Sequence, residues 1–401
     1  MPYRFTRRLL LALCVCSLTA ATALAKEPAT ALPSAEPAAV GLDSQTLATL
    51  TTAMRGHVQS NEISGAVMLV VKNGKVAYHE AVGQRDLEAN QAMGRDTLFA
   101  IASMSKPITG AAVMILVDEG KLSLDDPISK YIPEFKNAKL KNGEAPKREL
   151  TIRDVVTHTA GLGGDQRTHG TLQETAKKLA ERPLDFSPGE KWQYSPGLTV
   201  AGAVVEIVSQ QPFEEFLQQR IFAPLSMRDT TFNPNKEQQS RLAKIYKKNG
   251  DGKLEPSDNW ISDFSQPCVP NPSAGLVSTA QDLAAFYAMV LAGGELNGKR
   301  ILSEKATKEL TTIHSGENTT GFTPGNGWGI GWCVVREPQG VTKPLSKGSA
   351  GHGGAFGTQG WIDPDKNMAF VLMIQRNGLP NGDASVMRDD LQRIAVEAVK
   401  K

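Results

Sequence analysis

Residues 99–109 read Phe-Ala-Ile-Ala-Ser-Met-Ser-Lys-Pro-Ile-Thr, and this stretch decides how the rest of the 401-residue chain is interpreted. Ser103 and Lys106 are three positions apart, which places both on one face of a helix. Unpaired N–H groups and the dipole at a helix start favour developing negative charge. Apolar neighbours such as Ile101 and Ile108 can lower the pKa of a buried lysine from about 10.4 toward neutrality. The stretch predicts a serine nucleophile activated by a neutral lysine, although a capping serine beside a solvated lysine has the same pattern.

A second candidate group is Tyr194, in the stretch Trp192-Gln-Tyr-Ser-Pro196 that follows a turn at residues 187–190. A phenol beside an ammonium group is expected to have a lowered pKa, and it can relay a proton between a serine and a leaving group. We therefore predict that Tyr194 joins Ser103 and Lys106. The alternative is a tyrosine that only packs in front of a helix.

Glycines are concentrated in the stretch Gly351-His-Gly-Gly-Ala-Phe-Gly-Thr358, which enters the predicted penultimate strand. Glycine in a strand lets a ligand or another backbone approach closely. An N–H group of this stretch and the N–H of Ser103 would together form an oxyanion hole. The alternative is a glycine-rich edge strand that carries a polar histidine.

Three further segments, together with the three stretches above, occur in the order along the chain that is typical of a known superfamily. From about residue 41 to residue 400, the chain resembles the serine β-lactamase-related superfamily, which includes class C β-lactamases, family VIII carboxylesterases, D-aminopeptidases and D,D-peptidases. The resemblance rests on the three stretches above and on Leu122-Ser-Leu-Asp-Asp-Pro127, Thr157-His-Thr-Ala-Gly-Leu162 and Pro272-Ser-Ala-Gly-Leu-Val-Ser-Thr279.

The resemblance implies a role for each candidate residue. Ser103 would be the nucleophile, Lys106 its activating partner and Tyr194 the tyrosine of the family. His352, Gly353 and Gly354 stand where β-lactamases have Lys-Thr-Gly, and these residues would contact the substrate. The second oxyanion N–H would then come from Ala355. The resemblance leaves open whether Lys106 or Tyr194 is the general base.

Two positions depart from the β-lactamase pattern. Pro196 stands where β-lactamases have an asparagine that binds the catalytic lysine and the substrate amide, and proline offers neither an amide nor a donor. His352 replaces a permanently charged lysine that helps to hold the β-lactam carboxylate. A histidine at this place resembles the esterase branch. Ester cleavage also demands less of the site, because an alkoxide leaves more readily than an amide nitrogen.

These observations favour an exported carboxylesterase that acts through an acyl-enzyme on Ser103. Its substrate would be a small-molecule ester, amide or peptide. One alternative is a D,D-peptidase, D-aminopeptidase or weak β-lactamase. Another is a protein of a different class: a sensor that is acylated without turnover, or a relative that only binds peptidoglycan.

Hydrophobic periodicity and turn signals predict an α+β fold. The resemblance implies that this fold is of the β-lactamase/transpeptidase type. Two strands near the start and three near the end would form an antiparallel sheet of five or more strands, flanked by N- and C-terminal helices. The predicted domains are a sheet domain at residues 41–95 and 300–401 and a mainly helical insertion at 96–299, with the active site between them. The predicted strands are 66–71, 76–82, 328–335, 358–362 and 368–375, and the predicted helices include 103–119, 199–210, 279–291 and 384–400.

The N-terminus has the features of a secretory signal. Three arginines precede the apolar run at residues 9–18, and Ala23-Leu-Ala25 supplies a small-residue cleavage site. We predict a signal peptide at 1–25, a flexible leader at 26–40 and a periplasmic or secreted protein; the alternative is a membrane anchor. Cleavage would change the formal net charge from +2 to −1, because it removes three arginines and no acid. Such a charge gives no general attraction to nucleic acid.

Two cysteines, Cys268 and Cys333, remain after the predicted cleavage. Export permits a disulfide between them, while two free thiols fit the sequence equally well. The six histidines have no metal-ligand spacing, so we expect neither a metal nor another cofactor. We interpret His158 as structural. The sequence leaves the oligomeric state open.

Overall fold

The computed structural model describes residues 1, 32–164, 167–259, 261, 263–264, 268–321 and 323–400. The predicted signal peptide at 1–25 lies outside the described residues, apart from Met1. The predicted leader at 26–40 is described from Leu32 onward. Among the described helices, none has the length and apolarity that crossing a membrane requires.

The described strands are β1 (Gly65–Lys72), β2 (Lys75–Asp86), β3 (Gln91–Ala92), β4 (Phe99–Ala100), β5 (Tyr246–Lys248), β6 (Leu254–Pro256), β7 (Val277–Ser278), β8 (Glu295–Leu296), β9 (Lys299–Arg300), β10 (Asn326–Trp328), β11 (Cys333–Val335), β12 (Ala350–Gly353), β13 (Gln359–Asp363) and β14 (Met368–Met373).

The described α-helices are α1 (Ser44–Gln59), α2 (Ser105–Asp118), α3 (Ile152–Val156), α4 (Leu172–Ala180), α5 (Gly197–Ser209), α6 (Phe213–Leu217), α7 (Lys236–Ser240), α8 (Ala280–Leu291), α9 (Glu304–Leu310) and α10 (Val386–Glu397).

Eight of these strands form one antiparallel sheet in the order β10-β11-β12-β13-β14-β1-β2-β3. The sheet joins strands from both ends of the chain, because β1 pairs with β14 over residues 67–72 and 368–373. Helices α1 and α10 pack together against one face. The prediction of an antiparallel sheet of five or more strands flanked by terminal helices is confirmed. The domain boundaries at 96 and 299 stay a prediction.

The central strand β1 is apolar at nearly every position because both of its faces are buried. Val67, Leu69 and Val71 point into the core that is shared with the helical middle of the chain. Met68 and Val70 point into the second core, beneath α1 and α10. Side chains alternate across a strand, so one continuous run of apolar residues serves both cores.

For its described part, Leu32 to Val40, the predicted flexible leader is wrong. Leu32 is buried. The Ala35 N–H donates to the Val76 carbonyl at 2.9 Å, and the Val76 N–H donates to the Pro33 carbonyl at the same distance. A 3₁₀ turn at Pro37–Val40 then leads into α1. Backbone pairing with β2 and one apolar anchor hold this part of the chain, which its Ala- and Pro-rich composition does not reveal.

The prediction of a single strand at 328–335 is wrong. The structure has two short strands there, β10 and β11, which pair with each other in antiparallel register. Gly331 between them has a φ of +74°. A left-handed residue of this kind turns the chain at a position where the apolar composition alone indicates a continuous strand.

Cys268 and Cys333 are both free thiols. Cys333 is buried in β11. Cys268 is half-buried in a loop, where its thiol donates to the Phe232 carbonyl at a sulfur–oxygen distance of 3.1 Å. Of the two alternatives that the sequence left open, the structure has the free thiols.

Candidate active site

Strand β4 leads directly to Ser103. A single 3₁₀ turn at Ala102–Met104 carries Ser103, and α2 begins two residues later at Ser105. Ala102 has a φ of +45°, a conformation that costs a non-glycine residue energy and that is concentrated at functional sites. This strained turn presents the Ser103 hydroxyl beside the N-terminus of α2, as the sequence predicts. There the helix dipole favours negative charge.

Lys106 lies on the first turn of α2 and is fully buried. Its Nζ is 3.2 Å from Ser103 Oγ. Burial lowers the pKa of Lys106 to about 7, because a charged ammonium group loses its hydration there. Near neutral pH a large fraction of the Lys106 side chains therefore carries a free lone pair. The predicted juxtaposition of hydroxyl and amine is present in the structure.

The second partner of Lys106 is a backbone carbonyl that sequence reasoning missed. Lys106 Nζ donates to the Ser273 carbonyl at 2.8 Å. Two further bonds fix this loop, since Thr109 Oγ1 donates to the Pro272 carbonyl at 2.7 Å and the Ser273 hydroxyl lies 2.8 Å from Thr199 Oγ1. The sequence feature that could have revealed this contact is the Pro272–Thr279 segment, which was interpreted only as part of the resemblance. The Ser273 carbonyl accepts a hydrogen bond from Lys106. Pro196, the N-cap of α5, has no side-chain amide that could do so.

Tyr194 lies beside both groups. Its hydroxyl hydrogen-bonds Ser103, and Lys106 Nζ is 4.5 Å from the centroid of its ring. The prediction that its pKa would be lowered is wrong. Burial raises the pKa of the Tyr194 phenol above its ordinary value of about 10, and this effect exceeds the opposing effect of the Ser103 hydrogen bond. Tyr194 therefore remains a phenol near neutral pH and is a proton donor in this site.

His158 supports the ring of Tyr194 from behind. It is fully buried with a φ of +62°, and its ring centroid is 4.6 Å from that of Tyr194. The Ser195 N–H donates to His158 Nδ1 at 3.1 Å, so this nitrogen is an acceptor. Burial, together with the charge of Lys106, holds the pKa of His158 well below its usual range. A neutral imidazole that packs on Tyr194 agrees with the structural interpretation of His158.

The glycine-rich segment comes within van der Waals contact of the Ser103 turn. A Cβ on Gly354 would lie 2.1 Å from Thr358 Oγ1 and 2.5 Å from the Ile101 carbonyl oxygen. No larger residue fits between these groups without a shift of the backbone. The close approach brings Ala355 to the cavity that Ser103 lines. The two backbone segments that the sequence proposes for an oxyanion hole are therefore adjacent.

His352 belongs to β12 and is almost fully buried. Its Nδ1 lies 2.6 Å from the Gly353 carbonyl, so this nitrogen is the donor. Burial, and after it the charge of Lys106, lowers the pKa of His352 to about 3. The imidazole is therefore neutral at physiological pH. The site has no positive charge at the position where the resemblance places a lysine in β-lactamases.

One cavity of about 410 Å³ unites the predicted residues. Lys106 lies beneath it, buried against Ser103 and Tyr194. A segment that sequence reasoning missed completes the wall. The lining residues are Ser103, Tyr194, His352, Gly353, Gly354, Ala355, Pro380, Asn381, Gly382 and Asp383.

Comparisons with known proteins agree with this geometry. The family model described as Beta-lactamase matches residues 50–393. Esterase EstB of Burkholderia gladioli is 30% identical over 85% of this chain and 93% of its own length. A putative D-alanyl-D-alanine carboxypeptidase of Escherichia coli O157:H7 is 28% identical over 80% of each chain.

A solved structure shows the same fold. EstCE1, described as a hydrolase with promiscuous acyltransferase activity, superposes with a TM-score of 0.77 and is 26% identical, over 89% of this chain and 99% of its own. The predicted β-lactamase/transpeptidase-like fold is thereby confirmed. From the family match, the relatives and the fold together, this chain belongs to the beta-lactamase family and is a serine hydrolase.

Proposed function

We propose that this chain is an exported carboxylesterase that acts through an acyl-enzyme on Ser103. One observation carries the proposal: the fully buried amine of Lys106, with a pKa of about 7, lies 3.2 Å from the Ser103 hydroxyl. A neutral amine at this distance can accept the hydroxyl proton as the oxygen attacks a carbonyl carbon.

We propose Lys106 as the general base and Tyr194 as the general acid. Lys106 has a lowered pKa and Tyr194 a raised one, so near neutral pH the amine can take a proton and the phenol can give one. Environments that separate two pKa values in this way distinguish an acid from a base. The two pKa shifts support this choice between the alternatives that the sequence left open.

The acylation step follows from these two roles. Ser103 Oγ forms a bond to the ester carbon as its proton passes to Lys106 Nζ. The Ser103 and Ala355 N–H groups hold the tetrahedral oxyanion, and each such donor typically contributes about 10²- to 10³-fold in rate. Tyr194 then protonates the departing alkoxide, and the proton on Lys106 restores the phenol.

Deacylation uses the same two roles again, with water as the nucleophile. Lys106 takes a proton from the water as it attacks the acyl carbon, and Ser103 leaves as an alkoxide that is reprotonated through Tyr194. The acid product is released and the starting protonation states return. Water needs access for this step, and the cavity beside Ser103 supplies it.

Two features support esters over β-lactams as substrates. Pro196 provides no side-chain amide for a substrate amide group, and His352 is neutral rather than cationic. EstB is named an esterase and EstCE1 a hydrolase, in agreement with this choice. The relative named as a carboxypeptidase supports a second candidate, cleavage of a peptide that ends in D-alanine.

The test uses protein that begins at Lys26 and three substrates: p-nitrophenyl butyrate, a chromogenic cephalosporin and a D-Ala-D-Ala peptide. Ser103-dependent turnover of the butyrate alone is the expected result, with Ser103→Ala as the control. Turnover of the peptide at a comparable rate would replace the esterase with the peptidase. A stoichiometric burst without turnover would contradict both and identify an acylated sensor.

Export is a separate part of the proposal, and it rests on the charged and apolar pattern of residues 1–25. Expression of the full chain in a Gram-negative host, followed by fractionation and N-terminal sequencing, tests it. We expect a periplasmic protein that begins at Lys26. Uncleaved protein in the cytoplasm would contradict export and leave the chemistry of the site unaffected.

A further inference from the structure

The cavity beside Ser103 contains a carboxylate that the proposed mechanism does not use. Asp383 follows β14, in the segment that completes the cavity wall with Pro380, Asn381 and Gly382. It is half-buried, so its side chain is both held by the protein and reachable from the cavity.

We infer that Asp383 is a specificity-determining residue, which makes the site accept esters with a cationic group and reject those with a carboxylate. The inference deepens the proposed ester hydrolysis and rests on it. It names the charge of the substrate, which neither the family nor the relatives define for this chain.

Geometry places the carboxylate against the strand that faces the substrate. A Cβ on Gly353 would lie 1.9 Å from Asp383 Oδ1, so the carboxylate occupies the space of a side chain at that position. Gly353 directly precedes Gly354 and Ala355, which line the same cavity as Ser103. A group bound along this strand therefore meets the charge of Asp383.

Hydrogen bonds from two side chains keep the carboxylate in this place. Gln359 Nε2 donates to the Gly382 carbonyl at 2.9 Å and lies 3.4 Å from Asp383 Oδ1. The guanidinium of Arg388 donates to the Asp383 carbonyl oxygen. A carboxylate anchored through both its side chain and its backbone retains a defined position when a substrate enters.

The nearby cation does not reach the cavity. Arg388 is fully buried, and its guanidinium lies 3.9 Å from the centroid of the Trp361 ring. No lysine or arginine occurs among the residues that line the cavity in the described part of the chain. His352 is neutral, and Lys106, with a pKa of about 7, is mostly uncharged at pH 8. Asp383 is the one acidic side chain among the described residues that line the cavity.

Electrostatics then gives the direction of the preference. A substrate carboxylate close to Asp383 would place two negative charges in a partly desolvated site, which is unfavourable. A substrate ammonium group would instead find a partner. Specificity of this kind comes from repulsion of the wrong ligand as well as attraction of the right one.

The experiment compares three p-nitrophenyl esters at pH 8: the neutral hexanoate, the anionic monoester of adipic acid and the cationic 6-(trimethylammonio)hexanoate. The readout is the second-order rate of p-nitrophenol release in the first turnover, corrected with Ser103→Ala. This rate requires acylation and does not require turnover. Burial raises the pKa of the Asp383 carboxyl, so the comparison is made on the alkaline side of neutrality.

For the wild type we expect the cationic ester to acylate about tenfold or more faster than the anionic ester. Asp383→Asn removes the charge and keeps the shape, and it should reduce this ratio by about tenfold while the hexanoate rate changes less than about threefold. Asp383→Ser is a second variant of smaller size, and it should reduce the ratio in the same direction.

Asp389→Asn is the matched control. It makes the same change in net charge on α10, where the half-exposed Asp389 pairs with Arg393 at 3.5 Å and does not line the cavity. An unchanged ratio in both Asp383 variants, or an equal change in the control, overturns the inference. A burst without turnover counts against the esterase proposal alone, so the two failures are distinguishable.

Discussion

At the scale of single residues, the proposed chemistry depends most directly on Lys106. Lys106→Met keeps the length and the burial of the side chain and removes the base, so kcat/KM on p-nitrophenyl butyrate should fall by about 10²- to 10⁴-fold. In Lys106→Arg, kcat/KM should fall by a similar factor, because a guanidinium does not lose its proton in proteins. Steady-state kinetics with circular dichroism of each variant tests this, and an Arg variant with near wild-type activity would contradict the role of Lys106.

The pH dependence of the same reaction follows from the pKa of Lys106. The reactive form is the free amine, so kcat/KM should fall about tenfold for each pH unit below the pKa of about 7 and become constant above it. No decline from Tyr194 is expected below about pH 10, because burial raises the pKa of its phenol. A rate profile from pH 5 to pH 10 provides the measurement.

Asp282 supplies the control for this profile. Burial raises the pKa of its carboxyl to about 7, yet it accepts from the Asp229 N–H and does not line the cavity. Asp282→Asn should therefore keep the inflection near pH 7. If the inflection moves in this variant, or is absent from the wild type, the assignment to Lys106 is wrong.

The sequence predicted side-chain identities in the site better than it predicted their environment. Ser103 and Lys106 follow from helical spacing, and Tyr194 follows from the chemistry of a phenol together with the resemblance. The raised pKa of Tyr194 did not follow, because it depends on how deeply folding buries the ring. The carbonyl of Ser273 was missed because a backbone acceptor has no residue type of its own. Asp383 was missed because a lone acid after a strand resembles any loop residue.

At the scale of elements, the junction between β12 and the Ser103 turn is the sensitive contact. Gly354→Ala would place a methyl group 2.5 Å from the Ile101 carbonyl and displace the Ala355 N–H. We expect kcat/KM to fall by about 10²- to 10³-fold, the effect of losing one oxyanion donor. Kinetics and thermal melting, measured on the same preparation, test this.

Gly56→Ala is the matched control for that substitution. Gly56 lies inside α1, and a Cβ there meets no atom within 4 Å. Alanine is the better helix former by about 0.8–1.0 kcal/mol, so the melting temperature should rise and activity should stay unchanged. Equal kinetics for the two alanine variants would contradict the role of the β12 junction.

Element prediction succeeded where periodicity was unambiguous. The predicted strands at 66–71, 76–82, 358–362 and 368–375 correspond to β1, β2, β13 and β14, which pair as two hairpins. The prediction failed at residues 328–335, where the sequence stays largely apolar although the chain reverses direction. That reversal depends on Gly331, whose Cβ would lie 2.5 Å from the Lys106 carbonyl. Such a contact is set by tertiary packing and has no local signal.

At the scale of the whole molecule, topology explains how distant segments form one site. The first and last parts of the chain share a sheet, because β14 pairs with β1. The intervening part of the chain carries Ser103 on a 3₁₀ turn, Lys106 on α2 and Tyr194 just before α5 to β12. The sequence predicted both groups of strands and the helical middle. It did not predict the strand order, which is fixed by pairing between residues far apart in the chain.

The central claim is that a covalent acyl group forms on Ser103. Rapid quenching of the protein with p-nitrophenyl butyrate, followed by intact-mass and peptide mass spectrometry, tests it most directly. The account predicts the added mass of one butyryl group on the peptide that contains Ser103, and no added mass in Ser103→Ala. A butyryl group on another residue, or Ser103-independent hydrolysis at the wild-type rate, would contradict it.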